Sequence, residues 1–165
     1  MITIKRALTS KDIEDCVRFR HEVFVSEQRA AARSMRDLYD DTAVHVMALL
    51  DGRAIGTARA IFSPGGTAAV IGFVAVSRSY RQQGIGSKLI AALELAPEFC
   101  HIDTFLLNAG VDGVAFYRRL GYVPFGDAVM VGRTLHHRMK KIRPMPSSPA
   151  TRQRPAFDEA TAPCR

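Results

Sequence analysis

The sequence of 165 residues has no tryptophan and only three cysteines. The cysteines are widely spaced and form neither a CxxC pair nor a cysteine–histidine cluster, so we expect no disulfide scaffold and no metal site. No apolar run approaches the ~18 residues that a membrane span requires, and the first residues lack the long apolar region of a signal peptide. The sequence therefore predicts a cytoplasmic protein without a membrane partner.

The charge is unbalanced, with 23 lysines and arginines against 16 acidic residues and a formal net charge of +7. A basic chain raises the question of nucleic-acid binding. The basic residues are scattered, however, no run of five occurs, and aromatic residues do not alternate with them. We therefore expect no nucleic-acid partner and interpret the charge as a basic cleft for a polyanionic ligand.

The length is that of one domain. Five of the eight prolines lie in the last 23 residues, where apolar periodicity is also weak. The sequence thus predicts one domain at residues 1–142 and a flexible, proline-rich tail at residues 143–165. It does not decide the oligomeric state, and a homodimer stays open.

Local patterns predict the order of the elements. A strand is expected at residues 2–7, a helix after the T-x-x-D capping signal that begins at Thr9, and a hairpin of two apolar runs around Asp51-Gly52-Arg53. Residues 29–43 are expected to form a second short helix or a loop. After the central region we expect a strand at residues 105–108 and a short helix at residues 113–121 that ends at a glycine C-cap. A terminal hairpin is expected to follow, with its two arms at residues 123–130 and 134–142.

The most informative stretch joins an apolar run at residues 71–76 to an amphipathic helix marked by Ile85, Leu89 and Leu93. Between them lies the sequence Arg-Gln-Gln-Gly-Ile-Gly at residues 81–86. A glycine turn before a helix directs unpaired backbone N–H groups at an anion, and the helix dipole adds positive charge there. The glycine spacing fits neither the P-loop nor the dinucleotide fingerprint. We therefore expect a different ligand that contains a phosphate or pyrophosphate.

The pattern Arg-x-x-Gly-x-Gly between a strand and a helix resembles the acyl-CoA-binding motif of the GNAT N-acetyltransferase superfamily. A second signature of that superfamily, Ala-Phe-Tyr-x-x-x-Gly-Tyr, follows at residues 115–122. Residues 17–28 and 135–140 are similar to the ElaA-like branch of the superfamily. The resemblance covers roughly residues 2–142.

The resemblance implies an α/β fold with a mixed, mostly antiparallel sheet of six or seven strands, splayed between strands 4 and 5, and about four helices. Acetyl-CoA, as acyl-donor co-substrate, would lie in the splay. Its pantetheine arm would run along the central strand and its pyrophosphate would rest on the loop amides. The residues implied to bind it are Phe73, Val74, Ala75, Val76, Arg81, Gln82, Gln83, Gly84, Ile85, Gly86, Ser87, Asn108 and Phe116.

The implied reaction is direct attack by a primary amine on the thioester in a ternary complex. It needs a neutral amine, stabilisation of the oxyanion and a proton for the departing thiolate. Backbone N–H groups near Val74 or Val76 would serve the oxyanion, and Tyr117 stands where such enzymes place a general acid. The central strand contains no acidic residue, unlike many relatives. Glu27 is the first candidate for the base, His45 is the second, and water or substrate self-ionisation stays open.

Three readings of the function remain. The first is an N-acetyltransferase acting on a small molecule or protein that the sequence does not identify. The second is a transferase of a longer acyl group, and the third is a non-catalytic acyl-CoA-binding module that regulates a partner. Asp37, Asp40 and Asp41 would attract a cationic amine, although acidic residues in a loop are usually only solvated.

Overall fold

The structure is a computed structural model that describes residues 1–27 and 35–144. Three α-helices are present in this part of the chain: α1 (Ser10–Arg20), α2 (Ile85–Glu94) and α3 (Val114–Arg119). A π-helical segment, His21–Glu27, continues α1, and three 3₁₀ turns span Arg78–Tyr80, Pro97–Phe99 and Val111–Gly113. The strands are β1 (Ile2–Ala7), β2 (Val44–Leu50), β3 (Arg53–Phe62), β4 (Ala68–Val76), β5 (Thr104–Gly110), β6 (Val123–Pro124), β7 (Val129–Val131) and β8 (Thr134–Ile142).

The strands form one sheet in the order β1-β2-β3-β4-β5-β8-β6, and β7 also pairs with β8. All pairs are antiparallel except β4 with β5, which run parallel. This arrangement confirms the α/β fold class with a mixed, mostly antiparallel sheet. The parallel pair matters because helices follow the carboxyl ends of both strands, and ligands of such sheets bind outside those ends.

Local sequence explains the first half of the fold. Thr9 accepts a hydrogen bond from the backbone N–H of Asp12, whose carboxylate in turn accepts from the Thr9 backbone N–H, so the predicted capping box starts α1. Asp51 and Gly52 take positive φ angles of 49° and 81° in the turn between β2 and β3. Both predictions are confirmed.

The two faces of the sheet are covered differently. Helix α2 buries Ile85, Leu89, Ile90 and Leu93 in the main core, which extends along the sheet to β5 and β8. On the other face, Phe19 of α1 and Val23 of the π-helical segment pack on Ala75 of β4. Helix α1 packs against β1, β2, β3 and β4.

The structure departs from the expected element count in two places. The first arm of the predicted terminal hairpin, residues 123–130, is split into β6 and β7, because Pro124 has no N–H to donate and Gly126 turns the chain with a φ of 60°. The sheet therefore has eight strands rather than six or seven. Residues 35–43 form turns, with hydrogen bonds from the Asp40 N–H to the Asp37 carbonyl and from the Thr42 N–H to the Tyr39 carbonyl. The other residues of the expected second helix, 29–34, lie outside the described residues.

Arg143 closes the described domain. Its guanidinium donates to the carbonyl oxygens of Glu94, Phe99 and Ile102, and its backbone N–H donates to the carbonyl of Asp103 at 2.6 Å. The predicted tail lies almost entirely beyond the described residues and stays a prediction. None of the described helices is long and apolar enough to cross a membrane.

Candidate acyl-CoA site

A gap opens between the two parallel strands. Residues Ala68 to Ile71 of β4 pair with Thr104 to Leu107 of β5, and the pairing of the two strands ends there. Residues 72–76 and 108–110 continue as the two walls of the gap, β4 bonded to β3 and β5 bonded to β8. The splay predicted between strands 4 and 5 is therefore present, at the carboxyl end of both strands.

A β-bulge lies on the β4 wall of this gap. Thr57 pairs with Ala75 and Arg59 pairs with Gly72, so that two residues of β4 oppose one residue of β3. Phe73, inside the bulge, has a φ of 50°, which is rare for an aromatic residue. A bulge bends its strand and redirects the backbone groups beside it, so this one turns β4 away from β5.

A buried ionic network supports Phe73 from the α1 face. The guanidinium carbons of Arg20 and Arg59 each lie 4.7 Å from the centroid of the Phe73 ring. Both guanidiniums donate to Oδ1 of Asp40, at 2.8 Å and 2.7 Å, and Arg59 also forms a bidentate pair with Asp37. Cation–π contacts of this kind become stronger when the cation is desolvated, and Arg20 and Asp40 are fully buried.

Hydrogen bonds offset the cost of burying the charged groups of this network. Burial alone would raise the pKa of Asp40, but hydrogen bonds from Arg20, from the Asp37 backbone N–H and from Arg59 lower it to about 2. Hydrogen bonds to Asp37 and Asp40 likewise raise the pKa of Arg59 against the effect of burial. The carboxylate is thus ionised over the whole neutral range, and it compensates two buried cations.

His45 has no free nitrogen in this network. Its Nδ1 lies 2.8 Å from Nη2 of Arg20, and its Nε2 lies 2.9 Å from the carbonyl oxygen of Asp40. A guanidinium only donates and a carbonyl only accepts, so Nδ1 accepts and Nε2 carries the proton. Burial lowers the pKa of His45, which keeps the ring neutral. This geometry favours a structural role for the histidine.

The glycine loop has the form that an anion site requires. Gln82 and Gly84 take φ angles of 63° and 75°, and the first bond of α2 runs from the Lys88 N–H to the Gly84 carbonyl. The N–H groups of residues 85–87 precede that bond and have no acceptor within the helix. Residues 81–84 are exposed, and Arg81 donates from Nε to the Val76 carbonyl at 2.9 Å, which ties the loop to β4. Unpaired N–H groups at the start of a helix, beside an exposed glycine turn, form the geometry of an anion site.

Helix α3 closes the site from the α2 side. A Cβ at Gly86 would lie 3.1 Å from the Phe116 ring, so the glycine allows α2 and α3 to touch. Tyr117 packs its ring 4.9 Å from Phe116 and 5.9 Å from Tyr122. Burial raises the pKa of Tyr117 to about 12, so its phenol is protonated at neutral pH.

The structure brings most of the predicted site residues together. Residues 73–76, the loop 81–87 and the Phe116–Tyr117 pair surround the carboxyl ends of β4 and β5, and Asn108 is exposed on the β5 wall. His45 lies instead in the network behind Phe73. Glu27 is the last residue of the π-helical segment, and its side chain lies outside the described part of the structure.

Sequence reasoning missed the ionic network. Its members come from α1, the loop before β2, and strands β2 and β3, and no short motif joins them. One signal was present: His45 interrupts the otherwise apolar β2, and Arg59 lies within the run Ala-Arg-Ala-Ile-Phe at residues 58–62 of β3. A charged residue in a buried strand requires a partner, and the acidic residues of the preceding loop supply it.

These features define an acyl-CoA-binding α/β protein, and the comparisons with known proteins agree. The model of the acetyltransferase (GNAT) family matches residues 11–122. The chain is 28% identical over 116 residues to YjcF of Bacillus subtilis, described as an uncharacterized N-acetyltransferase, covering 70% of this chain and 81% of that protein. The chain belongs to the GNAT acetyltransferase family, whose members transfer an acyl group from CoA to an acceptor.

Solved structures show the same fold. Escherichia coli ElaA superimposes with a TM-score of 0.73 at 23% identity, covering 86% of this chain and 99% of that one. PaiA N-acetyltransferase of Thermoplasma acidophilum, solved in complex with coenzyme A, superimposes with a TM-score of 0.64 at 16% identity, covering 86% and 99%. The similarity to the GNAT family that the sequence motifs predicted is confirmed.

Proposed function

We propose that the protein transfers an acetyl group from acetyl-CoA to a primary amine of a small molecule or protein, by direct attack in a ternary complex. The observation that carries this proposal is the splay between β4 and β5 beside a glycine loop whose helical amides are unpaired. The related PaiA structure, which contains coenzyme A, supports the choice of CoA. A cytoplasmic location is part of the same proposal.

Acetyl-CoA occupies the gap in this proposal. Its pantetheine arm lies along the backbone of residues 73–76 and its pyrophosphate rests on the amides of residues 82–87. Asn108 and Phe116 contact the opposite side of the arm. The exposed Arg78 and Lys88 flank the loop and add positive charge for the phosphates.

Tyr117 protonates the departing thiolate. Its hydroxyl has no hydrogen-bond partner among the described residues, and burial keeps the phenol protonated with a pKa of about 12. The oxyanion is stabilised by a backbone N–H at Val74 or Val76, next to the bulge. Glu27 remains a candidate for the base, whereas the two occupied nitrogens of His45 leave it without a lone pair to receive a proton.

The first experiment tests binding. Titration calorimetry with acetyl-CoA and with CoA should give micromolar binding to the wild type, and Gly84→Trp should abolish it because the indole would fill the loop. Failure of the wild type to bind either ligand would remove the proposal. Thiol release with a panel of primary amines then separates a transferase from a non-catalytic acyl-CoA-binding module, and longer acyl-CoAs in the same assay test acyl length.

The second experiment tests the general acid with a matched pair of tyrosines. Tyr117→Phe should lower kcat by about 10²-fold or more and leave acetyl-CoA binding unchanged, because only the proton donor is lost. Tyr122 is the control, since its hydroxyl donates to Glu94 at 2.7 Å and its ring packs on Tyr117. Tyr122→Phe should lower stability and leave kcat near the wild-type value. An unchanged rate in Tyr117→Phe would refute the assignment.

A further inference from the structure

His136 stands at the open end of the gap, on the strand beside β5. It is the register partner of Gly110, the last residue of β5. Phe105, Leu107 and Ala109 face the core under α2, and alternate residues of a strand face opposite sides. Gly110 therefore faces away from α2, and His136, directly opposite it, shares that face. This is the side on which α1 and the Phe73 network lie, across the sheet from Tyr117.

The imidazole of His136 is oriented by the backbone. Its Nδ1 lies 2.9 Å from the carbonyl oxygen of Thr134. Because a carbonyl only accepts, Nδ1 carries the proton, and the neutral ring has its lone pair on Nε2. A histidine whose Nδ1–H is held in this way presents Nε2 as an acceptor.

Gly110 leaves space in front of that nitrogen. A Cβ at position 110 would lie 3.7 Å from Nε2 of His136, so any longer side chain there would cover it. The side chain of His136 is only partly buried, and no described side chain donates to its Nε2. Arg138 lies two residues after His136 on the same face of β8 and pairs with Asn108 of β5. Its side chain is exposed, and it is the next charged residue along this face.

We propose that His136 is the general base of the transfer reaction. The acceptor enters from the α1 side, and Nε2 takes one proton from its nitrogen as the C–N bond to the thioester carbon forms. The C–S bond then breaks, and Tyr117 protonates the sulfur. Solvent returns His136 and Tyr117 to their starting protonation states. This inference rests on the proposed N-acetyltransferase function, and it is consistent with the absence of an acidic residue from β4 and with the engaged nitrogens of His45.

The test compares two neighbouring histidines in the full-length protein. His136→Ala should lower kcat at pH 7 by about 10²- to 10⁴-fold, leave acetyl-CoA binding unchanged, and regain activity when imidazole is added. His137, which pairs with Ala109 on the other face, is the matched control. His137→Ala should show neither the loss nor the rescue. The assay is thiol release with ethanolamine, spermidine, tyramine and free lysine as acceptors.

The outcomes separate this inference from the proposed function. A His136→Ala enzyme of wild-type rate, or one that imidazole does not rescue, would overturn the assignment, as would a loss seen only in Glu27→Gln. If the wild type acetylates none of the amines, the proposed function fails in that assay, and ¹⁵N NMR of the histidines decides the placement. Acetyl-CoA that binds should then shift the His136 signals in the wild type. Unshifted signals would overturn the placement of His136 at the thioester, and a wild type that binds no acetyl-CoA would overturn both.

Discussion

Replacing Asp40 with asparagine should destabilise the protein strongly, because one carboxylate compensates two buried cations. Asp40 accepts hydrogen bonds from Arg20 at 2.8 Å, from Arg59 at 2.7 Å and from the Asp37 N–H at 3.0 Å. In Asp40→Asn, Arg20 stays fully buried and loses the carboxylate that pairs with it among residues 1–27 and 35–144, whereas Arg59 keeps its pair with Asp37.

The expected magnitude follows from two estimates. The pKa of Asp40 falls from 3.8 to about 2, and such a shift corresponds to about 2 kcal/mol at about 1.4 kcal/mol per unit. Removing one partner of a buried ion pair typically costs about 3–5 kcal/mol. The free energy of unfolding at pH 7 should therefore fall by about 2–5 kcal/mol, a large part of the usual stability of a domain.

Urea unfolding measures this loss, and Asp41→Asn is the matched control. Asp41 follows Asp40 directly in sequence, but its pair with Arg36 is exposed, with 76% of the Asp41 side chain accessible. An exposed pair is worth about 0–1 kcal/mol, so the control should unfold close to the wild type. Equal losses in the two variants, or a loss under about 1 kcal/mol in Asp40→Asn, would refute the view that Asp40 compensates buried charge.

Three further predictions concern pH and the glycine loop. Because the pKa of Asp40 is lower in the folded than in the unfolded chain, its stabilisation is present above about pH 4 and is lost as the pH falls towards 2; acid unfolding curves of Asp40→Asn should lack that part of the slope. Burial raises the pKa of Tyr117 to about 12, so the stability that its neutral phenol contributes is present below about pH 10 and is lost as the pH rises through 12. Between pH 9 and pH 11, the free energy of unfolding should therefore fall less in Tyr117→Phe than in the wild type. Gly84→Ala and Gly65→Ala each add a Cβ in open space at a φ near 80°, so each should lower the free energy of unfolding by about 1–2 kcal/mol. Only Gly84→Ala should weaken acetyl-CoA binding in calorimetry. Equal affinity in the two variants would contradict the assignment of the loop.

Features that depend on neighbouring residues could be predicted from the sequence. The capping box at Thr9, the turn at Gly52 and the glycine start of α2 each follow from side chains or φ preferences within a few positions, and each is present. Apolar periodicity placed most strands for the same reason. The interruption of the last hairpin at Pro124 was missed, although proline cannot donate to a ladder, because a long β8 can pair with two short partners.

In the candidate site, too, the residues of contiguous motifs could be predicted, whereas those that depend on strand pairing could not. The two motifs located the loop at residues 81–87 and the Phe116–Tyr117 pair, since these are contiguous segments with a recognisable pattern. The bulge at Phe73 could not be predicted, because it depends on a register between β3 and β4. His45 looked like a candidate base in sequence, yet its two nitrogens are occupied by Arg20 and Asp40, which lie 25 and 5 residues away.

The sequence by itself determined the order of most elements and the glycine turn that precedes α2, because each is encoded by short-range patterns of polarity, capping and glycine. The fold class followed from the resemblance of two contiguous motifs to the GNAT superfamily. Only the tertiary structure decided which groups meet at the gap. Arg20 of α1 and Arg59 of β3 converge on Phe73 of β4 because α1 packs on these strands. His136 lies opposite Gly110 because β8 pairs with β5, although the two residues are 26 positions apart in the sequence. Contacts of this kind depend on sheet order and register, which no single segment of the chain contains.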